Sequence, residues 1–338
     1  MKINVIIPCR NEVAHIQECV KAIFNSEFDN KNELIVHVVD GMSEDGTRQI
    51  INNLIVEFPT LKLIDNPKKL TPFAFNLGIY ACIDADYVQI VGARHILSSN
   101  YLQTCINKLS SDRQVWCVGG KLINRHMNET GRLISIAMGS VFGMGFGNFR
   151  TLGESCYTDT VTSPMYPSWV FKKIGYFDED LIRNQDDDFN FRVTKAGGKI
   201  WFESSISLIY YVRGEFSKLW RQFYQYGYWK GYVNRKHSIN TTYRQLIPPL
   251  FVLNLMLVVL SVLFGTLFVA ITTLPFGLYL LLVVLFSLSK TSKLAEALKL
   301  MCVFPTMHIG YGLGYWQGIK DFLILKKGPD EKNTTLSR

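Results

Sequence analysis

The sequence predicts an α/β protein with a mixed, mostly parallel sheet, followed by a C-terminal transmembrane helical hairpin. Short apolar runs alternate with segments of helical spacing in the N-terminal third, which is typical of a sheet covered by helices on both faces. Residues 245–289 then contain no charged residue over 45 positions, whereas a membrane-crossing helix needs about 20 apolar residues. The chain is 48% hydrophobic and only 19% charged, which excludes a disordered protein.

The predicted strands are runs rich in Ile and Val, and the helices between them repeat apolar residues every three or four positions. Ile16, Val20 and Ile23 show this spacing in the first helix. In chain order we predict strands at residues 3–8, 33–40, 61–64 and 87–91, and helices at residues 12–25, 47–58, 72–83 and 101–109. Because ligands of such sheets bind beyond the carboxyl ends of the strands, we expect a site in the loops that follow them.

The uncharged segment is long enough for two membrane spans. We predict them at residues 248–271 and 275–289, joined by a turn at residues 272–275, because Pro275 can open the second helix. A buried hairpin of a water-soluble protein is the alternative, but core helices carry polar positions that this segment lacks. Basic residues flank both ends, so the positive-inside rule places the N-terminal region in the cytoplasm. The flanking cations are Arg235, Lys236, Arg244, Lys290, Lys293 and Lys299.

A further apolar stretch at residues 300–319 contains Pro305, His308 and several glycines, and we predict an interfacial or re-entrant segment there. The predicted domains are a cytoplasmic domain at residues 1–232, an interfacial linker at 233–246, two transmembrane helices at 247–289, an amphipathic, interfacial or re-entrant segment at 290–325 and a basic tail at 326–338.

The net charge of +8 and the seven cysteines limit the possible partners and compartments. The positive charge favours an anionic membrane face or a phosphorylated substrate. Nucleic acid is not expected as a partner, because no dense basic stripe or recognition motif occurs. No cysteine belongs to a CxxC pair or has metal-ligand spacing, so we expect reduced thiols in the cytosol. The apolar run at the N-terminus is too short for a secretory signal and fits a strand.

Polar segments follow the first two predicted strands. The first is PCRNE at residues 8–12 and the second is DGMSEDGT at residues 40–47. Neither contains the GxGxxG or GK[ST] pattern of a dinucleotide or P-loop site. Asp, Ser and Gly are also common capping and turn residues, so an ordinary turn is the alternative for the second segment.

With motifs further along the chain, these segments resemble the family 2 glycosyltransferases of GT-A fold. The additional matches are Pro72…Ala74…Asn76…Gly78, Phe177-Asp178-Glu179, Asn184-Gln185-Asp186-Asp187-Asp188, Phe191-Arg192 and Gly197-Gly198. Segments DTV at 159–161, RNQD at 183–186 and PTMH at 305–308 resemble more narrowly the exopolysaccharide, succinoglycan-type branch. The resemblance covers residues 2–232 and implies that the cytoplasmic domain is a GT-A domain.

The resemblance implies a nucleotide-sugar donor, with a UDP-sugar expected. Glu12 and Asp40 would contact the base and ribose, and Pro8 and Arg10 would line the same pocket. Carboxylates accept hydrogen bonds from a uracil N–H or a ribose hydroxyl, which suits this role. Asn76 of the motif helix is also expected to bind substrate.

The resemblance also implies a catalytic base. In the family, the base is the Asp of a Glu-Asp pair that precedes a further Asp and an Arg, and the matching frame here makes Asp186 the base. Asp187 is the alternative base, and Gln185 would hold the acceptor hydroxyl. Adjacent carboxylates repel one another, which favours a raised pKa in at least one of them. The alternative is an acidic cap for the following helix, a role that we expect Asp188 to have.

The frame in which GT-A enzymes usually carry a metal-binding DxD contains Gly92-Ala93-Arg94, so the metal ligands are unknown and Mg²⁺ or Mn²⁺ is only a possible cofactor. A literal DxD at residues 84–86 precedes the strand, and we interpret it as unrelated to the site. Since negative charge develops on the leaving diphosphate, Arg94, alone or with His95, is the predicted replacement for the metal. The alternative is that His95 or an Asp elsewhere still binds a metal.

Two further segments have alternative interpretations. The glycine-rich residues 139–150 would lie near the acceptor, with Arg150 on its diphosphate, or would place their aromatic side chains on the membrane surface. Gln225 and Trp229 resemble the QxxRW element of processive members, but Tyr228 replaces its Arg, which argues against processive synthesis. Arg221, Gln225 and Trp229 are predicted substrate contacts, with Arg213 and Lys230 as further candidates for the diphosphate. The alternative is an interfacial helix with an aromatic belt.

The sequence therefore predicts an inverting glycosyltransferase of the bacterial cytoplasmic membrane, which moves a sugar from a nucleotide-sugar to a lipid-diphosphate-linked saccharide in exopolysaccharide, capsule or O-antigen synthesis. The alternative is a nucleotide-sugar-binding scaffold with impaired catalysis, which Gly92 and Gln185 motivate. A transporter or channel is not expected, because the spans are few and carry no charge.

Overall fold

The computed structural model describes residues 1–29, 32–147, 149–212, 214–238, 243–261, 263 and 265–328. The chain forms two compact units, one of residues 1–124 and 147–211 and the other of residues 125–146 and 212–338. The strands, in chain order, are β1 (Lys2–Cys9), β2 (Glu33–Asp40), β3 (Leu61–Asp65), β4 (Tyr87–Ile90), β5 (His95–Leu97), β6 (Val115–Arg125), β7 (Cys156–Thr158), β8 (Thr162–Pro167) and β9 (Lys199–Tyr211). The helices, in chain order, are α1 (Ile16–Phe24), α2 (Thr47–Glu57), α3 (Thr71–Tyr80), α4 (Tyr101–Ser111), α5 (Glu129–Met138), α6 (Val141–Met144), α7 (Trp169–Ile174), α8 (Gln185–Lys195), α9 (Phe216–His237), α10 (Ile247–Ser261), α11 (Thr266–Lys290) and α12 (Leu294–Gly318).

The strands pair in the order β3-β2-β1-β4-β8-β6-β9-β5, and β7 pairs with β9. β3, β2, β1 and β4 are parallel, whereas β8 runs antiparallel to β4 and to β6, and β9 runs antiparallel to β5 and to β7. The predicted mixed α/β sheet is therefore confirmed. Its parallel part is smaller than expected, because β8 returns in the opposite direction beside β4.

Helices cover both faces of the sheet in the first unit. In β1, Ile3, Val5 and Ile7 belong to a core with α1, α2 and α4, while Ile6 belongs to a second core with α3, α7 and α8. β2 is buried along all but its first residue, as expected for a strand covered on both faces. Each fully buried Ile or Val side chain stabilises the fold by about 1.5–3 kcal/mol, so the hydrophobic core fixes where the strands end and hence where the site loops begin.

In the second unit, α9 and α12 approach closely because glycines line their contact. A Cβ atom at Gly227 of α9 would overlap the carbonyl oxygen of Tyr311, and one at Gly314 of α12 would overlap that of Tyr224. Gly310, Gly314 and Gly318 recur every four residues, the small-residue spacing that lets helix backbones pack closely. Residues 294–318 form one continuous helix with Pro305 inside it, and its interfacial or re-entrant placement stays a prediction.

The predicted turn at residues 272–275 is wrong. Those residues lie inside α11, where the Thr272 and Thr273 hydroxyls donate hydrogen bonds to the carbonyls of Phe268 and Val269. α10 ends at Ser261 and α11 begins after Gly265, whose φ of 91° favours glycine. Pro275 is accommodated without a break, as prolines often are in apolar helices. Charge and hydropathy do not distinguish the observed end of α10 at Ser261 from the predicted turn at residues 272–275.

Among the described residues, α11 is the one helix that is long and apolar enough to cross a membrane, and α10 is shorter, with 15 residues. Only 11% of the apolar window of α11 is buried, and Leu267 and Leu274 are each 75% exposed. This exposure does not fit a core helix of a water-soluble protein. The membrane-spanning hairpin itself stays a prediction.

Candidate active site

The loops after β1, β2 and β4 lie at one edge of the parallel sheet, which we call the carboxyl edge. Cys9 of β1 pairs with Asp40 of β2, so the two strands end side by side. The loops that follow are joined, because the Ser43 hydroxyl accepts a hydrogen bond from the Asn11 N–H (2.8 Å) and the Asn11 side chain accepts one from the Glu44 N–H (3.0 Å). The predicted segments at residues 8–12 and 40–47 therefore form one structure.

Two residues of these loops have left-handed backbone conformations. Asn11 has a φ of 53° and Met42 a φ of 58°, which costs a non-glycine residue about 1–2 kcal/mol. Such conformations persist where the surrounding contacts fix them, and they cluster at functional sites. Arg10 packs its aliphatic carbons over Gly41, where an added Cβ would lie 3.2 Å from the Arg10 Cβ.

Asp40 is fully buried, and the protein itself holds its carboxylate. Arg48 Nη1 donates to Asp40 Oδ2 at 2.8 Å, the Ser43 N–H donates to the same oxygen at 2.9 Å, and the Ser43 hydroxyl donates to Oδ1. Arg48 also binds Asp65 at 2.8 Å, and its hydrogen bonds to Asp65 and Asp40 raise its pKa. Asp40 thus fixes the end of β2, and its predicted contact with the nucleotide stays a prediction.

Glu12 is nearly buried and is paired with Arg94 from the loop after β4. Arg94 Nε donates to Glu12 Oε2 at 2.7 Å, and the Glu12 N–H donates to the Thr47 hydroxyl at 2.8 Å. The two terminal nitrogens of Arg94 make no hydrogen bond to any residue that the structure describes. Glu12 therefore orients the guanidinium and leaves its outer end available to a ligand.

His95 adjoins Arg94 and is held neutral. Its Nδ1 accepts a hydrogen bond from the Gly92 N–H (3.3 Å) and lies 2.7 Å from the Ser163 hydroxyl. Burial, and then the charge of Arg150, lower the pKa of His95 to about 3. Since Nδ1 accepts from a backbone N–H, the proton of the neutral ring is on Nε2. His95 therefore adds no positive charge at neutral pH.

Arg150 is the second guanidinium beside this loop. Its Nη1 donates to Asn124 Oδ1 at 2.7 Å, and its guanidinium carbon lies 5.6 Å from the centre of the Tyr210 ring. Tyr210 in turn contacts His95 edge to face at 5.5 Å and is its partner across β5 and β9. Arg150 was singled out by sequence, but its position beside His95 was not predicted.

The predicted base lies at the start of α8. Asp186 is exposed, and the Asp187 N–H donates to its Oδ1 at 3.0 Å. Asp188, by contrast, is fully buried and pairs with Arg192 at 2.9 Å. Arg192 also donates to the carbonyls of Ile174 and Tyr176. The acidic run therefore has two parts: Asp186 is exposed, whereas Asp188 forms a structural ion pair with Arg192. The N-cap position of α8 is occupied by Asn184.

The direction of α8 places its N-terminus at the carboxyl edge. α8 is followed by β9, whose first residue, Lys199, donates its N–H to the carbonyl of Gln114 at the opposite edge, where β6 starts. A helix of 11 residues spans about 16 Å, so its N-terminus lies towards the other edge. Asn190 of α8 also donates to the hydroxyl of Thr160, which lies just before β8, and accepts from the hydroxyl of Tyr166 within β8. Gln185, Asp186 and Asp187 thus share an edge with the Glu12, Asp40 and Arg94 loops.

Asn76 has a positioning role in this structure. Its buried side-chain amide donates to the carbonyl of Phe177 and to Glu179 Oε1, both at 2.9 Å, and accepts from the Phe177 N–H at 3.0 Å. Asn76 thereby ties α3 to the segment that leads into α8. These bonds occupy both ends of the amide, so the structure gives no support to the predicted contact with substrate.

The other predicted contacts lie in the second unit. Gln225 and Trp229 are buried in α9, where Trp229 packs on Phe322 with ring centres 6.1 Å apart, whereas Arg221 is exposed. Lys230 is buried as well, and Arg213 lies outside the described residues. For Gln225 and Trp229, packing in the second unit accounts for the burial without a ligand.

The glycine-rich segment enters both units. Phe142 packs on Phe286 of α11 (4.8 Å) and Phe304 of α12 (5.0 Å) within the second unit. Phe146 is 80% exposed, and Phe149 packs against the core of the first unit. Phe142 is therefore packed inside the second unit, and both interpretations of this segment stay predictions.

The carboxyl edge does not fit a divalent cation held by protein carboxylates. Mg²⁺ and Mn²⁺ prefer several oxygen ligands, yet the DxD frame contains Gly92, Ala93 and Arg94, none of which has a side-chain oxygen. No group of three or more metal-binding side chains occurs among the described residues. The literal DxD lies at the opposite edge, where Asp84 pairs with the Lys2 ammonium and Asp86 accepts the Lys2 N–H, both at 2.7 Å. This agrees with its interpretation as unrelated to the site.

Comparison with known proteins shows relatives along most of the chain. The succinoglycan biosynthesis protein ExoA of Rhizobium meliloti (strain 1021) is 25% identical over 94% of this chain and 95% of its own length. A dolichyl N-acetyl-α-D-glucosaminyl phosphate 3-β-D-2,3-diacetamido-2,3-dideoxy-β-D-glucuronosyltransferase of Methanococcus voltae is 29% identical over 70% of this chain and 75% of its own length.

Among solved structures, the mannosyltransferase PcManGT of Pyrobaculum calidifontis, in complex with GDP-Man and Mn²⁺, matches with a TM-score of 0.61 and 16% identity over 94% of this chain and 86% of that one. This likeness confirms the GT-A-like fold. The model of glycosyl transferase family 2 matches residues 4–175, which is half of the chain. The chain therefore belongs to glycosyl transferase family 2 and is a glycosyltransferase.

Proposed function

We propose that this protein is an inverting glycosyltransferase that transfers a sugar from a nucleotide-sugar, expected to be a UDP-sugar, to a lipid-diphosphate-linked saccharide at the cytoplasmic face of a membrane. The observation that carries this proposal is the position of Asp186. Asp186 is an exposed carboxylate at the carboxyl edge, which also bears the Glu12 and Asp40 loops. The nearby Asp188, by contrast, is buried in an ion pair with Arg192.

The chemistry requires one displacement at the anomeric carbon. The acceptor hydroxyl oxygen forms the new bond to this carbon, and the bond from the carbon to the diphosphate oxygen breaks with its electron pair on that oxygen. Asp186 takes the proton of the acceptor hydroxyl, a step that contributes typically 10²- to 10⁴-fold to a rate. Because the acceptor attacks from the face opposite the leaving group, the configuration of the sugar inverts.

A lipid-linked acceptor is supported by the apolar helices and by the relatives. α11 exposes leucines along its length, and the flanking lysines Lys290 and Lys293 are basic residues of the kind that lie at a cytoplasmic membrane face. The Methanococcus relative is named for a dolichyl phosphate-linked sugar and the Rhizobium relative for succinoglycan synthesis. An acceptor held in the membrane would be brought to the site by its own anchor.

The test is a panel of nucleotide-sugars offered to the full-length protein in lipid nanodiscs, with sugars linked to a lipid phosphate or a lipid diphosphate as acceptors. We expect turnover with one donor class and a product whose new bond has the anomeric configuration opposite to that of the donor. A product with retained configuration would contradict the assignment of Asp186 as base. Nucleotide-sugar binding without transfer to any acceptor would favour the alternative, a scaffold with impaired catalysis.

A further inference from the structure

We propose that Arg94 and Arg150, rather than a protein-held divalent cation, bind the diphosphate of the nucleotide-sugar, and that Glu12 acts by orienting Arg94. This inference rests on the proposed function, because it assigns the groups that would hold the donor of that reaction. It also gives Glu12 a role different from the contact with the nucleobase or ribose that the resemblance implies.

The geometry of Arg94 is the first support. Its Nε is bound to Glu12 at 2.7 Å, and both terminal nitrogens have no hydrogen-bonding partner among the described residues. A guanidinium presents two parallel N–H groups to phosphate oxygens, which makes arginine suited to bidentate phosphate binding. The side chain is about one-third exposed (33%), so a ligand can reach this end while Glu12 holds the other.

Charge is the second support, and it explains why one arginine is not enough. Glu12 and Arg94 together carry no net charge, so their pair attracts a diphosphate weakly at a distance. Arg150 supplies a further positive charge beside His95, where its charge helps to lower the pKa of the buried imidazole, and its guanidinium contacts the Tyr210 ring, which packs on His95. His95 and His15 do not supply it: burial and nearby arginine charge lower the pKa of both rings.

The side chains that would be needed for a cation are engaged elsewhere. The Asp40 carboxylate is held by Arg48 and Ser43, and Glu12 is held by Arg94. The first position of the DxD frame is Gly92, where an added Cβ would lie 3.1–3.2 Å from the His95 ring. A carboxylate at this position would therefore require His95 to move, whereas arginine charge fits the loop as it stands.

The inferred site stabilises the leaving group. When the bond between the anomeric carbon and the diphosphate oxygen breaks, that oxygen keeps the electron pair and its negative charge grows. Donors and charges that are already in place at such an oxygen stabilise the transition state without reorganisation. Arg94 and Arg150 would meet this charge while Asp186 takes the proton of the acceptor.

The experiment measures UDP and uridine binding to the full-length protein by calorimetry, with excess chelator and with Mn²⁺. We expect UDP affinity to change less than about twofold between the two conditions, and to fall about ten- to a hundredfold in Arg94→Gln and in Arg150→Gln. Arg94→Lys should bind with intermediate affinity. Uridine, which lacks phosphate, should bind equally to the wild type and both Gln variants, which separates a lost charge from a damaged fold.

Arg113→Gln is the matched control, since Arg113 is exposed and lies in the same unit; its UDP affinity should equal that of the wild type. UDP binding that requires Mn²⁺, or wild-type affinity in both Gln variants, would overturn this inference alone. No binding of UDP, GDP or their sugars under either condition would overturn the proposed function together with it.

Discussion

Replacing Arg192 by Met should strongly destabilise the first unit. Asp188 is fully buried and Arg192 is 17% exposed, and their charged groups are 2.9 Å apart. Removing one partner of such a pair leaves an uncompensated buried charge and costs about 3–5 kcal/mol. The carbonyls of Ile174 and Tyr176 also lose their donors. For a domain of 150–250 residues each kcal/mol lowers Tm by about 2–4 °C, so we expect a fall of about 6–20 °C.

The assay is thermal unfolding of the full-length protein, monitored by circular dichroism at neutral pH. Arg113→Met is the control, because this arginine is exposed and its removal should change stability by less than about 0.5 kcal/mol. The double variant Asp188→Asn, Arg192→Met should lose less than the sum of the two single losses, since no charge is then left unpaired. A Tm of Arg192→Met equal to that of the control would refute the structural role assigned to this pair.

Three further predictions concern other parts of the molecule. Gly314→Ala should lower the stability of the second unit, because the added Cβ would overlap the Tyr224 carbonyl, whereas Gly277→Ala, in open space on α11, should not. Limited proteolysis in detergent compares the two variants, and equal resistance to the protease would contradict the packing of α9 on α12. Asp84→Asn should leave UDP binding and turnover unchanged, and a metal-dependent loss of either would mean that the literal DxD belongs to the site. Burial lowers the pKa of His37 to about 4. The pKa of His37 in the unfolded chain is about 6.5, so the unfolded chain binds the proton first as the pH drops. The free energy of unfolding therefore falls between about pH 6.5 and pH 4, by up to about 1.4 kcal/mol per pH unit. In His37→Gln this part of the pH dependence, measured by urea unfolding, should vanish, and an unchanged pH dependence would disprove the assignment.

The N-terminal strands could be predicted closely because each is an apolar run that ends at polar residues. The prediction for residues 33–40 coincides with β2, and the prediction for residues 87–91 exceeds β4 by one residue. The antiparallel half could not be predicted in the same way. In β6, Gly119 and Gly120 interrupt the apolar pattern, and the structure shows why they are needed: an added Cβ at Gly120 would lie 2.7 Å from the Ile206 carbonyl oxygen.

The helical region shows a different limit of prediction. Hydropathy located the apolar segment but not the position where α10 ends, because leucine and valine occur evenly on both sides of residues 262–265. The close packing of α9 on α12 depends on glycines four residues apart in each helix. That spacing was visible in the sequence and would have indicated that a helix at residues 310–318 packs closely against another helix.

For the site, motifs identified Glu12, Asp40, Asp186 and Arg192, but not Arg48, and not the ion pair that Arg192 makes with Asp188. Arg48 and Arg192 pair with carboxylates eight and four residues away in sequence, and Arg150 reaches His95 through Tyr210, which lies 60 residues further along the chain than Arg150. The contact of Tyr210 with His95 depends on the pairing of β5 and β9, which are far apart in sequence. The charges of Arg48 and Arg192 decide which carboxylates are structural and which face a ligand.

The central claim is that Asp186 removes the proton of the acceptor hydroxyl. The most direct measurement is the single-turnover rate of Asp186→Asn beside Asp187→Asn, with nucleotide affinity determined in the same preparations. We expect Asp186→Asn to transfer sugar at least about 10²-fold more slowly than the wild type while its UDP affinity stays within about threefold, and Asp187→Asn to keep most of the rate. A wild-type rate in Asp186→Asn, or a loss confined to Asp187→Asn, would contradict the account.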